Sequence, residues 1–156
     1  MGLQLTHGSE YALRAMTYLA ARPAGELSSQ AAVSRVQSIP DTFLAKLFQT
    51  LVHAGLIVSK PGVHGGFALR QPSSQINVAQ VIQAIDGPLS LNRCVLEPQS
   101  CERSERCPMH AVWLRTQESL MEVLEKVTLA DLVPGQTPGD QDVLSHLLGL
   151  GVQAPH

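Results

Sequence analysis

Three thiols and one imidazole fall between positions 94 and 110: Cys94, Cys101, Cys107 and His110. These are all the cysteines of the chain, spaced C-x6-C-x5-C-x2-H. Thiolate is a soft ligand and imidazole a versatile one, so the pattern reads as a soft-metal site, and a set of three Cys and one His also suits zinc. The competing reading is three unrelated buried thiols. The confinement of every cysteine to one stretch argues against it. The N-terminus M-G-L-Q-L-T-H lacks a basic stretch followed by an apolar run, and no segment is apolar over a membrane-spanning length. A cytoplasmic chain with reduced thiols and no membrane partner is therefore expected. No Ser-His-Asp or Cys-His pattern in a cleft-forming fold presents itself, so an enzyme is not expected.

A second chemistry is polyanion recognition. Residues 1–70 carry six Lys+Arg and three acidic residues, whereas 71–156 carry five and ten. The front is +3 and the back −5, which recovers the total of −2. Such asymmetry suits one face turned towards a polyanion. In the front half, Leu44, Leu47, Phe48 and Leu51 recur at helical spacing. Thr42, Ala45, Lys46, Gln49 and His53 fall on the opposite face of that helix. Thr, Lys and Gln reach phosphates or base edges in a major groove, though a solvated face has the same composition. After it, Leu56–Ser59 and Phe67–Arg70 read as short strands around the glycine-dense P-G-V-H-G-G. A phosphate-cradling loop is disfavoured there, because Gly-Lys-Ser/Thr and G-x-G-x-x-G are both missing. The DNA-facing candidates are Ser28, Thr42, Lys46, Gln49, Lys60, His64, Gly65 and Arg70.

The elements that must position these groups are mainly helical. A first helix spans about Leu5 to Arg22, capped by Thr6 or Ser9 and stopped by Pro23 and Gly25. Ser28 or Ser29 caps a short second helix whose stripe is Ala31, Ala32 and Val36. The third helix starts at Asp41 and ends at Gly55. Helix, short turn, helix and hairpin together make a winged helix-turn-helix. A fourth helix covers Ile76–Asp86 with Asn77 as cap, and Gly87-Pro88 ends it. Pro108 opens a long helix to about Thr128. Its seam of Trp113, Gln117, Leu120, Leu124 and Val127 suits a coiled-coil-like contact with a second copy. The fold class is mainly α with a small β-hairpin wing. Residues 1–72 form the DNA-binding domain, 73–133 the thiol loop and dimerisation helix, and 134–156 a flexible tail with a short helix at 142–150.

The runs I-P-D-T-F-L-A-K-L-F-Q-T-L-V-H-A-G-L-I-V-S and G-V-H-G-G-F-A-L, followed by the cysteine trio, resemble the Rrf2 family of bacterial winged-helix regulators. The likeness spans roughly residues 3–133. It implies a homodimer on a palindromic double-stranded operator. It also implies an iron–sulfur cluster in each subunit that tunes DNA affinity in response to redox state, nitric oxide or iron–sulfur status, in a regulator of the repressor type. Cys94, Cys101 and Cys107 fall on the family's cluster cysteines. His110 falls on one member's histidine ligand, which implies 2Fe–2S. Glu10 falls where other members supply a carboxylate from the partner's first helix, which implies 4Fe–4S. The departures are the x6 first gap, Pro61 in place of a wing arginine, and Ala45 in place of a glutamate that aids sequence discrimination. A zinc site, or a cluster-free member sensing a small molecule, is the alternative.

Overall fold

The structure is a computed structural model that describes residues 5–133. Its elements are α1 (His7–Ala20), α2 (Gln30–Gln37), α3 (Asp41–His53), β1 (Ile57–Lys60), β2 (Gly66–Leu69), α4 (Val78–Asp86), α5 (Arg93–Leu96) and α6 (Pro108–Lys126). Short 3-10 turns lie between several of them. The expected tail and its short helix lie outside the described residues.

Thr6 caps α1, its side chain accepting from the Ser9 amide at 3.2 Å. Ala12, Ala15, Met16 and Leu19 form the buried side. α1 packs against α4, so closely at its start that a Cβ on Gly8 would stand 3.0 Å from Ile85 Cγ2. In α3 the buried residues are Leu44, Leu47, Phe48 and Leu51, as the spacing predicts. The Phe48 ring meets Phe67 of β2 at 4.3 Å and so ties α3 to the hairpin.

The angle between α2 and α3 has local causes. Ser38 takes the left-handed conformation at φ 52° and ends α2. The Ser34 hydroxyl donates to Ile39 O at 2.7 Å, and Gln30 Nε2 donates to Asp41 O at 3.1 Å. Ile39 is buried beneath the turn. The stripe expected on α2 is wrong in detail. Val33 is the buried residue of this helix, while Val36 is 55% exposed. A helix this short offers the core one position, and Ile39 beyond its end takes the next.

The hairpin is antiparallel, with Ile57 opposite Leu69 and Lys60 opposite Gly66. Ser28 adds an isolated antiparallel bridge on the other edge of β2, exchanging two backbone hydrogen bonds with Phe67 at 2.9 Å each. A Cβ on Gly65 would stand 2.0 Å from Lys60 O, and one on Gly66 would stand 2.5 Å from Ser28 O. Both glycines are thus required by the approach of the chain to itself. Gly65→Ala is expected to displace the wing and cost about 1–3 kcal/mol, the usual range for overpacking. Chemical denaturation measures that cost.

Asn77 and Gln80 form a reciprocal capping box on α4, with hydrogen bonds of 2.9 and 2.8 Å. The chain leaving α6 returns to this point. Val78 N donates to Val127 O at 2.9 Å, and Leu129 N donates to Ile76 O at 2.8 Å. Leu129 and Val133 share one core with Met16, Leu44, Phe48, Ile76 and Val81. The C-terminal end of α6 is therefore fastened to the helix-turn-helix.

That fastening takes up the C-terminal part of the seam expected on α6. Val127 is buried against Val78 and Ile82 of its own chain, and Leu124 packs on the same group. Gln117 binds the backbone of Leu89 and Leu91. The periodicity finds an apolar face whose C-terminal part this chain covers itself, while Trp113 and Leu120 are half-buried. A different line is open to solvent: Met109 and Val112 are about half exposed, and Val123 is 36% exposed. Thr116 and Ser119 lie between them, also exposed. Their hydroxyls are satisfied within the helix, by Val112 O and Arg115 O.

Candidate nucleic-acid interface and thiol loop

Thr42, Lys46 and Gln49 lie at i, i+4 and i+7 on α3, all exposed and opposite the buried stripe. None is engaged by another side chain among the described interactions. The buried stripe anchors the helix, so its outer face is presented as a rigid rail. Lys60 and His64 are exposed at the end of β1 and in the wing loop, where Val63 is 98% exposed. Arg70 is exposed just past β2, its amide held by Leu56 O at 3.1 Å. Ser28 departs from the expectation: it is 7% exposed, and its backbone forms the bridge to β2. Pairing with Phe67 draws it inward, and Ser29 rather than Ser28 caps α2, at 3.2 Å from the Ala32 amide. Gly65 is half-buried, and its backbone lies against Lys60 O of its own chain.

The thiol loop is more ordered than its sequence suggests. Cys94 sits in the single turn α5, a feature with too few residues to show a period. Cys101 follows the 3-10 turn Pro98–Ser100, and Cys107 is the N-cap position of α6. All three thiols are free; Cys101 is exposed and the other two are half-buried. Among the described residues, no three His, Cys, Asp or Glu side chains stand close enough together to hold a metal ion. Two polar atoms here are nevertheless buried without a hydrogen-bond partner among the described residues: His110 Nδ1 and Ser104 Oγ. Glu10 is exposed in the first turn of α1, where its carboxylate lies 3.6 Å from His7 Nδ1.

Two tethers flank this loop, and neither was foreseen. Asp86, the last residue of α4, accepts from Thr6 Oγ1 at 2.6 Å and Ser9 Oγ at 2.7 Å. Its carboxylate thereby meets the N-terminal end of α1, where a negative charge is favoured. Gln117 Nε2 donates to Leu89 O at 2.8 Å, and Leu91 N donates to Gln117 Oε1 at 2.9 Å. One amide side chain thus completes the backbone of the segment leading to Cys94. The available signal was a polar residue in an otherwise apolar seam. Gln117→Leu should cost about 1–3 kcal/mol by leaving both backbone groups unpaired. Faster hydrogen exchange at the Leu91 amide would accompany that loss.

At the far end of α6, Lys126 Nζ stands 2.5 Å from Glu122 Oε1. Hydrogen bonding to Lys126 holds the Glu122 carboxyl below its ordinary range, helped by the charge of that ammonium. The pair is exposed and contributes little to stability.

Among the described residues, no helix is long and apolar enough to cross a membrane. The family model described as "Rrf2: Iron-dependent Transcriptional regulator" matches residues 5–135. Among solved structures, the chain is similar to CymR, the global cysteine regulator of B. subtilis. That match has 28% identity and a TM-score of 0.70, covering 83% of this chain and 95% of CymR. It is also similar to T. potens IscR, at 27% identity and TM-score 0.67, covering 85% and 87%. Staphylococcus aureus CymR matches at 26% identity and TM-score 0.64, covering 83% and 97%.

Proposed function

This chain belongs to the Rrf2 family of DNA-binding transcriptional regulators, and on that premise we propose that it is a homodimeric regulator controlled by an iron–sulfur cluster. The cluster would be held by Cys94, Cys101 and Cys107, with His110 as the fourth ligand. One observation carries this reading: a buried His110 Nδ1 without a hydrogen-bond partner among the described residues, in the same segment as three free thiols. A buried imidazole nitrogen left unpaired is unfavourable unless something binds it. The donor chemistry fits a soft centre, and the family model is described as iron-dependent. When bound, the group supplies a centre sensitive to redox state or to nitric oxide.

The residues of the chain supply the coupling. Cys94 lies just beyond the Leu89–Leu91 segment tethered by Gln117, and Cys107 opens α6. Drawing the thiols together would pull on both ends of the loop. α6 is fastened at Val127 and Leu129 to the start of α4, so its movement would be passed to the helix-turn-helix. Thr42, Lys46 and Gln49 would enter a major groove, with Lys60, His64 and Arg70 on the phosphates. Dimerisation through the exposed line Met109, Val112, Thr116, Ser119 and Val123 would set the spacing of two half-sites.

Glu10 from the partner is the competing fourth ligand, favoured by its exposure in the first turn of α1. The test is to purify and reconstitute the protein anaerobically, then assay iron, sulfide and visible absorption. A brown or red protein with matching iron and sulfide is expected. A colourless protein with one zinc, or with no metal, would overturn the cluster reading and favour the zinc or cluster-free alternative. Iron counts for His110→Ala and Glu10→Ala then assign the fourth ligand.

A further inference from the structure

We propose that Val63, at the tip of the wing, is a minor-groove contact that discriminates A·T from G·C base pairs beside the sites read by α3. The inference rests on the reading of α3 and the hairpin as the DNA-binding face and is independent of the thiol loop. It adds a residue that reading does not use.

Val63 is 98% exposed, more than any other large apolar side chain among the described residues. A lone exposed apolar side chain is common on a surface, but the place of this one is not. The Gly65 amide donates to Gly62 O at 3.0 Å and closes a turn with Val63 and His64 at its two centre positions. Such a turn asks for no valine, because Pro, Gly, Asn, Asp and Ser suit its backbone better. Val63 therefore serves neither the turn nor the core.

The tip is held in place. The backbone of Gly65 lies against Lys60 O, and Phe67 is bridged to Ser28. The Phe67 ring meets Phe48 of α3 at 4.3 Å. A wing tied to α3 in this way presents Val63 at a set position beside the recognition helix.

The charge around the tip selects the surface it meets. Residues 42–85 span all of α3 but its first residue, and the whole wing. They contain no Asp or Glu and hold Lys46, Lys60 and Arg70. Lys60 and His64, both exposed, flank Val63 in sequence. This charge suits a polyanion. A DNA minor groove, about 6 Å wide, offers phosphate rims to the flanking cations and a floor to the small side chain between them. Both kinds of base pair present acceptors on that floor, and G·C adds the guanine 2-amino donor. An isopropyl group cannot accept a hydrogen bond, so it leaves that donor covered and unpaired. Val63 thus favours a floor from which the amino group is missing.

The probe is a duplex from the promoter region upstream of its own gene. The full chain is used in whichever form, loaded or cluster-free, binds that duplex more tightly. Hydroxyl-radical footprinting locates the positions that wild type protects and Val63→Ala does not. Three duplexes then differ only there, carrying A·T, G·C or inosine·C pairs; inosine lacks only the 2-amino group of guanine. Wild type should bind the A·T and inosine·C duplexes alike. It should bind the G·C duplex about 5-fold or more weakly, the lower end for leaving a donor unpaired. Val63→Ala should lose most of that discrimination. Val63→Asn, whose side-chain oxygen can accept from the amino group, should bind G·C at least as well as A·T. Denaturation midpoints should match wild type throughout, since the Val63 side chain is almost wholly exposed. If wild type binds all three duplexes equally, this inference alone is overturned. The same holds if Val63→Ala protects the same positions as wild type or keeps the full preference, which then belongs to groove width read by the flanking cations. If wild type binds the promoter duplex no more tightly than unrelated DNA, the DNA-reading face itself falls and this inference with it.

Discussion

Cys101→Ser should abolish stable cluster binding while leaving the protein folded. Cys101 is exposed in the described fold, so its replacement removes a ligand without opening a cavity. Loss of an outer partner already weakens a metal site roughly 10–100-fold, and loss of a direct thiolate should exceed that. Anaerobic reconstitution should yield little iron in Cys101→Ser, with a denaturation midpoint close to that of cluster-free wild type. The same variant should bind DNA with one affinity whether or not iron and sulfide are supplied. Cys94 and Cys107 are half-buried, so their serine variants should lose iron and also some stability. Full iron occupancy in Cys101→Ser would remove it from the ligand set.

The second large effect lies on α3. Gln49→Ala should weaken binding to the cognate operator by about 1–3 kcal/mol, the value of a good base-edge contact, with little change on unrelated DNA. Lys46→Ala should weaken both about equally and reduce the slope of log K against log salt by about one. The two substitutions thus separate reading from gripping. Both side chains are exposed and neither takes part in the core, so folding should be unaffected. Competition binding at several salt concentrations distinguishes the patterns. If neither variant changes affinity, α3 is not the recognition helix.

Much of this fold is legible from residue spacing where several turns repeat the same pattern. Leu44, Leu47, Phe48 and Leu51 define one face of α3, and Asp41 and Gly55 bracket it. Asn77 and Thr6 announce their helices because capping is a local event between residues close in sequence. The hairpin follows from its glycines. What is hidden depends on partners far away in sequence. Ser28 looks like a cap or a DNA contact until Phe67 pairs with it. Val36 looks buried until the turn at Ser38 sends Ile39 to the core instead.

The seam on α6 shows the same limit more sharply. Heptad spacing reports that Trp113, Leu120, Leu124 and Val127 need cover, not which chain provides it. Val78 and Ile82 cover its lower end, and the exposed line around Met109, Val112 and Val123 is less apolar and so less conspicuous. In the candidate site, the candidate ligand types and their spacing are read from the sequence, while the described fold does not bring them together. The tethers at Asp86 and Gln117, and the lack of a partner for the Ser104 hydroxyl among the described residues, are not read from the sequence, because hydrogen-bond satisfaction is a property of three-dimensional neighbours.

The central claim is that the state of the thiol loop sets DNA affinity. It is tested most directly by titrating the promoter region upstream of its own gene with one preparation, before and after anaerobic removal of the cluster. A change in affinity of at least about 5-fold is expected, the lower end of allosteric coupling, and none in Cys101→Ser. Equal affinity of the loaded and cluster-free forms would contradict it.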